Sequence, residues 1–213
     1  MMIIQKTVSL LAMAGMIFSC SADNEKQKNQ TAAATKLTQV VAQKRFLFDA
    51  TKAETAGNAD WVISENTSGT PLRFASPDQS TVTAATPENY WRGGLSSWGI
   101  ALVKGGQYVE TLPPTGAITY GNTSNAQDLS KFDVFVVDEP NTLFTSAQKT
   151  AILNFVKNGG GLFMIADHNI SDRNNDGKDS PAIWNDLMSN NSVQNNPFGF
   201  TVELTNISET SSN

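Results

Sequence analysis

Acidic residues stand at the ends of three apolar runs, and they are the first candidates for chemistry. The runs end at Asp49, at Asp138 and Glu139, and at Asp167 and His168. Ligands of open parallel sheets bind at the carboxyl ends of the strands. If the three runs are neighbouring parallel strands, these side chains share one edge, where they would bind a polar ligand or hold a metal with its activated water. Polar residues also begin wherever a buried strand stops, so the pattern has an ordinary structural explanation as well.

A second candidate follows the third run, where oxygen-bearing side chains alternate. Asp172, Asn174 and Asp176 precede Gly177, which is the spacing of the first half of a calcium loop. Ile183 stands where an EF-hand has its bidentate glutamate, so the segment is not an EF-hand. The sequence predicts an open Ca²⁺ loop with the ligands Asp172, Asn174, Asp176, Lys178 and Asp179, in which Asp167 or Asp186 could close the site in place of Asp179. The alternative is a metal-free turn, because Asn and Asp readily bond to their own backbone.

The residue types of the chain give little support for nucleophilic catalysis. A Ser-His-Asp hydrolase needs a serine on a sharp turn, such as G-x-S-x-G, and the chain has no such motif. The single cysteine, Cys20, has a different predicted role. The single histidine, His168, is as compatible with an ordinary polar contact as with a ligand or base.

The first 19 residues are typical of a secretory signal. Lys6 precedes an uncharged apolar stretch, residues 7–18, and Ser19 stands before Cys20. The stretch is shorter than the ~20 residues of a spanning helix. A small residue before cysteine resembles the lipobox of bacterial lipoproteins, which implies cleavage before Cys20 and lipid on its thiol. The alternative is an ordinary signal that is cleaved elsewhere.

The predicted anchor places the protein in the bacterial cell envelope, outside the cytoplasm and at the outer membrane. Residues 20–43 are predicted to form a flexible tether, because they contain few large apolar side chains. Residues 44–205 suit one domain. Residues 206–213 form a polar tail, which ends either the domain or only the front part of a longer protein. A net charge of −5 without a basic cluster argues against nucleic acid as a partner.

Hydrophobic patterns predict an α/β domain. Apolar runs at 45–49, 132–137 and 161–166 are typical of buried strands, the last two fully buried, and residues 108–112 and 198–203 also favour strands. Helices are predicted near 95–103, after the capping box of Thr145 and Gln148, and from Pro181 to Met188. Residues 59–63 favour a short strand or a helix end, and 64–89 a surface excursion. Continuous apolar strands alternating with helices indicate a parallel sheet covered on both faces.

Two segments resemble the class I glutamine amidotransferase-like superfamily. They are residues 132–142, which include Asp138 and Glu139, and residues 155–163, which include three consecutive glycines. The segment that begins with Phe48 and Asp49 is similar to the one found in the non-catalytic or uncharacterised envelope branches of this superfamily. The strand end at Asp167 and His168 is similar to theirs as well. The resemblance covers roughly residues 44–188 and implies a flavodoxin-like fold. Glutaminase activity is not implied, because no cysteine stands at the strand end.

Three functions are compatible with these features. The leading hypothesis is an envelope lipoprotein that binds a divalent cation, Ca²⁺ first, and a polar ligand such as a glycan at the acidic strand edge. The second is a metal-dependent hydrolase that uses the same carboxylates and His168. The third is a structural partner in an envelope complex. One histidine and an oxygen-rich loop suit Ca²⁺ better than a catalytic zinc, which favours the first.

Overall fold

The fold is built on a four-stranded, all-parallel sheet. The computed structural model describes residues 42–55, 60–167 and 171–205. Its strands lie in the order β2-β1-β3-β4 and span Arg45–Asp49 (β1), Tyr108–Leu112 (β2), Val134–Asp138 (β3) and Gly161–Ile165 (β4). This is the order of the first four strands of flavodoxin-like folds. The predicted α/β class is therefore confirmed, whereas the predicted signal and most of the tether lie outside the described residues.

Helices cover both faces of the sheet, as predicted. They are α1 (Ser96–Lys104), α2 (Ser146–Lys157) and α3 (Ser180–Ser189). Alternate strand residues point to opposite faces. Phe48 and Val136 therefore pack towards Ile100 of α1, whereas Leu47 and Phe135 pack with residues of α2 and α3 on the other face. The sheet thus separates two apolar cores, and its carboxyl edge lies between them.

Helix α2 begins and ends where the sequence predicts. Thr145 accepts a hydrogen bond from the backbone N–H of Gln148 at 3.3 Å, and the Gln148 side chain accepts one from the Thr145 N–H at 2.9 Å. Gly159 follows the helix with φ of +98°, a conformation that favours glycine. Gly160 packs against the Phe155 ring so closely that a Cβ atom would collide with it. Two of the three consecutive glycines therefore have a purely structural explanation.

Strand β4 is less buried than predicted. The side chain of Phe163 is 49% exposed, so the prediction that this strand is fully buried was wrong. Among the described residues, β4 pairs only with β3 and forms an edge of the sheet. Phe163 lies beside Trp98 of α1, with ring centroids 5.0 Å apart, and this contact covers only part of the ring.

The predicted strand at 198–203 is also wrong. No strand forms there, and the segment is held instead by Asn185 of α3. The Asn185 side chain donates to the Val202 carbonyl and accepts from the Val202 N–H, both at 2.8 Å. An asparagine side chain therefore satisfies the backbone groups that a neighbouring strand would otherwise pair.

The predicted surface segment, residues 64–89, is mostly exposed or half-buried, whereas the residues just before it are packed in the core. Val62 and Ile63 are fully buried, although they form neither the predicted strand nor a helix end. Further along, Ala75 joins the core beneath α1, and the Trp91 indole N–H donates to the Pro77 carbonyl at 2.8 Å. These buried apolar side chains hold the chain between β1 and α1 against the face of the sheet that α1 covers.

No helix within the described ranges is long and apolar enough to cross a membrane.

Candidate functional site

The structure brings together three of the predicted acids, Asp138, Glu139 and Asp167. Asp138 is the last residue of β3 and is only 6% exposed. Burial raises the pKa of its carboxyl to about 7, the charges of Glu139 and Asp167 add to this rise, and the charge of Arg173 opposes it. The backbone N–H of Asp167 donates to the Ser180 hydroxyl at 3.0 Å, which ties the end of β4 to α3. His168, predicted to belong here, lies outside the described residues.

Glu139 is held in an uncommon backbone conformation. Its φ is +44°, in the left-handed region that non-glycine residues rarely adopt, and its N–H lies 3.3 Å from the Ile165 carbonyl. Its carboxylate accepts hydrogen bonds from the Trp61 indole N–H and from the Arg173 guanidinium, both at 3.2 Å. Such backbone conformations persist where the surroundings fix them, and they cluster at functional sites. Glu139 is therefore the acid of this edge whose position is fixed most closely by its backbone and its hydrogen bonds.

Asp49 does not join this group. It leaves the sheet on the face of Leu47, whereas Asp138 leaves it on the face of Val136. The expectation of one shared cluster therefore needs correction, because strand alternation separates these two carboxylates. Asp49 instead accepts hydrogen bonds from the N–H of Thr51 at 3.1 Å and from its hydroxyl at 3.2 Å.

The partner of Asp49 is Glu54, which the sequence reading missed. Burial raises the pKa of Glu54 well above its ordinary value, and the neighbouring Asp49 charge raises it further. The pKa of Asp49 is raised by its own burial. Lys52 lies between them in sequence, but its ammonium donates to Gln148 Oε1 at 2.7 Å and to the Leu143 carbonyl at 3.3 Å. The sequence does contain a signal for this pair, since three charged residues, Asp49, Lys52 and Glu54, fall within six positions at the end of β1.

The predicted calcium loop forms a compact turn. Both carboxylate oxygens of Asp172 accept backbone N–H groups, from Asp176 at 3.2 Å and from Gly177 at 2.8 Å. Asp176 accepts from the Lys178 N–H at 2.8 Å, and Asn174 accepts from the Asp176 N–H at 3.2 Å. Asp179, at the loop end, occupies the N-cap position of α3 but makes no side-chain cap. The carboxylate oxygens of Asp172 and Asp176 therefore each accept an N–H group of the loop itself, as a metal-free turn would have them.

This loop lies against the acidic edge. The Asn174 side chain donates to the Asn141 carbonyl at 2.7 Å, and the Arg173 N–H donates to Asn141 Oδ1 at 3.3 Å. The Arg173 guanidinium pairs with Glu139 at 3.2 Å. Asn141 and Arg173 were not predicted as site residues, because neither stands at a strand end nor at a ligand position. Through them, the loop and the strand edge form one surface.

Carboxylates alone do not complete a metal site. Within residues 42–55, 60–167 and 171–205, no group of three or more His, Cys, Asp or Glu side chains is arranged to hold a metal ion. Comparison with protein-family models, with curated proteins and with solved structures gives no match. The function must therefore be argued from the geometry of the site.

Proposed function

We propose that this protein is a lipid-anchored protein of the bacterial cell envelope that binds Ca²⁺ in the loop of residues 172–179. On the adjoining edge of Asp138, Glu139 and Asp167 it binds a polar ligand, such as a glycan. The amidotransferase-like resemblance supports this as a binding domain without glutaminase activity. The contact between the loop and the strand edge through Asn141 and Arg173 carries the proposal.

The ligand set suits a hard cation that prefers oxygen. Asp172 and Asp176 offer carboxylates, Asn174 an amide oxygen, and Lys178 its backbone carbonyl. Calcium accepts all of these oxygen types in flexible geometry and with six to eight ligands. Asp179 is the remaining carboxylate of the proposed set, and water would complete the shell. The amide oxygen and the backbone carbonyl oxygen thus supply ligands that the few carboxylates of the loop cannot provide alone.

Calcium is expected to raise the melting temperature of chelated protein. A ligand that binds only the native state stabilises it by mass action, and at a free concentration of about 100 times Kd the rise is several degrees. Asp172→Ala and Asp176→Ala should each abolish the calcium-dependent part of this rise. Thermal melts with EDTA and with millimolar Ca²⁺ measure the effect.

The matched control is Asp78→Ala. Asp78 is exposed and accepts a turn N–H from Ser80 at 2.7 Å, so it resembles the loop aspartates without belonging to the loop. This variant should keep the full calcium response. If the unsubstituted protein melts alike in EDTA and in calcium, the loop is a metal-free turn and the proposal is wrong.

The anchor can be tested separately. Cys20→Ser removes the only thiol of the chain, and stable anchoring needs at least two acyl chains or an equivalent second signal. The variant is therefore expected to leave the membrane fraction, as detected by fractionation and immunoblotting. Persistence of the variant on membranes after a high-salt wash would contradict lipidation at this residue.

A metal-dependent hydrolase remains the second candidate, and the state of Asp138 favours it. A carboxyl whose pKa is about 7 can exchange a proton with substrate near neutral pH. Calcium-, magnesium- or manganese-loaded protein would be assayed against phosphoester, ester and glycoside substrates between pH 5 and 9. Hydrolysis should depend on a group that titrates near pH 7, and Asp138→Asn should remove this dependence and most of the rate. The absence of turnover with every metal and substrate class would leave binding as the function.

A further inference from the structure

The two edges of the sheet differ in how their backbone groups are satisfied. At the β2 edge, the Gln79 side chain donates to the Val109 carbonyl at 2.5 Å and accepts from the Val109 N–H at 3.1 Å. At the other edge, β4 pairs only with β3 among the described residues. Residues 198–203, which could have added a strand here, are held by Asn185 instead. The β2 edge is therefore covered, whereas the β4 edge is open.

Leu162 and Met164 present the open backbone groups of β4. The N–H of Gly161 and the carbonyl of Ile165 are hydrogen-bonded to the chain at either end of β3, at 2.8 and 3.3 Å. Successive residues of a strand direct their N–H and C=O groups to opposite sides. Leu162 and Met164 therefore direct theirs away from β3, towards the open edge.

Strand β4 carries none of the features that keep an edge strand from pairing. Its five residues, Gly161–Ile165, include no charge and no proline, and their register with β3 is continuous. Phe163 is 49% exposed beside Trp98 on the α1 side, whereas Leu162 and Met164 pack on the side of α2 and α3. An apolar edge without a charge, a proline or a bulge recruits another strand. The edge therefore suits an extended, uncharged strand as its occupant.

We propose that the occupant is β4 of a second copy of this chain, paired antiparallel about a two-fold axis at Phe163. In this register Leu162 of each copy lies opposite Met164 of the other, and the two residues exchange the N–H and C=O groups that β3 leaves open. Phe163 lies opposite Phe163 of the second copy in a non-hydrogen-bonded pair, the type in which side chains come closest. One surface serves both copies, as in any isologous dimer.

The charges beside β4 favour an antiparallel copy over a parallel one. Lys157, the last residue of α2, and Asp167, which follows β4, are both exposed. The register about Phe163 sets Asp167 of each copy opposite Gly159 of the other, beside the turn that follows Lys157. The basic and acidic ends of the two strands therefore meet, whereas a parallel pair would align like charges, which is destabilising.

The size of the contact implies a weak dimer. A strand of five residues buries less than the ~1,200 Å² of stable complexes, so the affinity belongs to the range of transient interfaces. At low micromolar concentration the chain is therefore mainly monomeric. The dimer goes beyond the proposed function and does not depend on calcium.

Charge substitution at Phe163 tests the two-fold register. The full chain is examined in EDTA and excess detergent micelles by sedimentation equilibrium from about 1 to about 500 µM, which spans an expected Kd of about 10–100 µM. Phe163→Lys and Phe163→Glu each set like charges opposite each other and remove the aromatic contact, so each should weaken dimerisation at least about tenfold. An equimolar mixture of the two variants should restore it, because lysine then lies opposite glutamate.

Phe74→Lys is the matched control. Phe74 is 52% exposed and lies beside the β2 edge, where the carbonyl of the neighbouring Arg73 accepts the Thr111 N–H at 2.9 Å. This variant should dimerise like the original protein. If the Phe163 variants do not fold, Met164→Pro replaces them, because proline removes an outward N–H and leaves the bonds to β3 in place. It should abolish the dimer.

Hydrogen exchange of the Leu162 and Met164 amides identifies the occupant of the edge. In the dimer, their protection should rise with protein concentration. Protection that does not depend on concentration, in a monomeric protein, would mean that another part of this chain covers the edge, and it would overturn the proposal. A chain that stays monomeric up to about 500 µM, equal losses with Phe74→Lys and Phe163→Lys, or no recovery in the mixture would overturn it as well.

Discussion

Replacement of Phe135 by alanine is expected to lower the free energy of unfolding by about 3–5 kcal/mol. Phe135 is completely buried at the centre of the sheet, on the face covered by α2 and α3. Its removal takes apolar surface from the core and leaves a cavity that the surrounding strands cannot fill. A reversible urea titration, with the same m-value for both proteins, measures the loss.

Phe163→Ala is the matched control for this prediction. It removes the same atoms from the same sheet, but Phe163 is half-exposed on β4 and touches Trp98 at its rim. Its loss should therefore cost only about 1 kcal/mol, in proportion to the smaller buried area. Similar losses for the two variants would show that the assignment of β3 to the centre and β4 to the edge is wrong.

Asp138→Asn is expected to stabilise the protein above pH 7. The folded state raises the pKa of Asp138 from 3.8 to about 7, so between these values the folded state binds the proton that the unfolded chain has released. Stability linked to this group is therefore present at low pH and is lost as the pH rises from about 4 to 7. A rise of this size corresponds to about 4 kcal/mol, and screening by water at the rim of the sheet leaves about 1–3 kcal/mol.

The measurement is unfolding free energy against pH for the original protein and the variant. Asn cannot ionise, so the two curves should coincide near pH 4 and separate up to pH 8, with the variant the more stable. The exposed Asp78 has a lowered pKa through its hydrogen bond from Ser80, so Asp78→Asn should not give this gain. If the curves of Asp138→Asn and the original protein stay parallel from pH 4 to 8, Asp138 is not a buried carboxyl with a raised pKa.

Much of the fold could be predicted because local signals and tertiary structure agree. β2 ends where Pro113 and Pro114 interrupt its alternation, and α2 lies between a capping box and Gly159. The burial of β4 could not be predicted in this way. A run such as that around Phe163 indicates a strand, but its apolar character does not say whether neighbours lie on both sides. Residues 198–203 show the same limit, since a strand-like pattern forms a sheet only where a partner strand is available.

Only the part of the site that lies at the strand ends could be predicted from the sequence. Asp138, Glu139 and Asp167 come together because parallel strands end at one edge. Asp49 stands apart because the residue that ends each strand decides the face on which its side chain lies, and a shift of one position reverses it. Trp61 and Arg173 reach Glu139 from loops, and Glu54 reaches Asp49 by a turn of the chain. These contacts depend on how loops dock, which no local periodicity encodes.

Calcium binding by the loop of residues 172–179 is tested most directly by calorimetric titration. Calcium is added to protein that has been freed of metal with EDTA and dialysed, and Asp172→Asn is titrated in parallel. We expect a single-site isotherm for the original protein and a loss of most of the affinity in the variant, because one charged ligand becomes neutral while the loop keeps an acceptor at that position. A folded protein that gives only the heat of dilution up to millimolar calcium would contradict it.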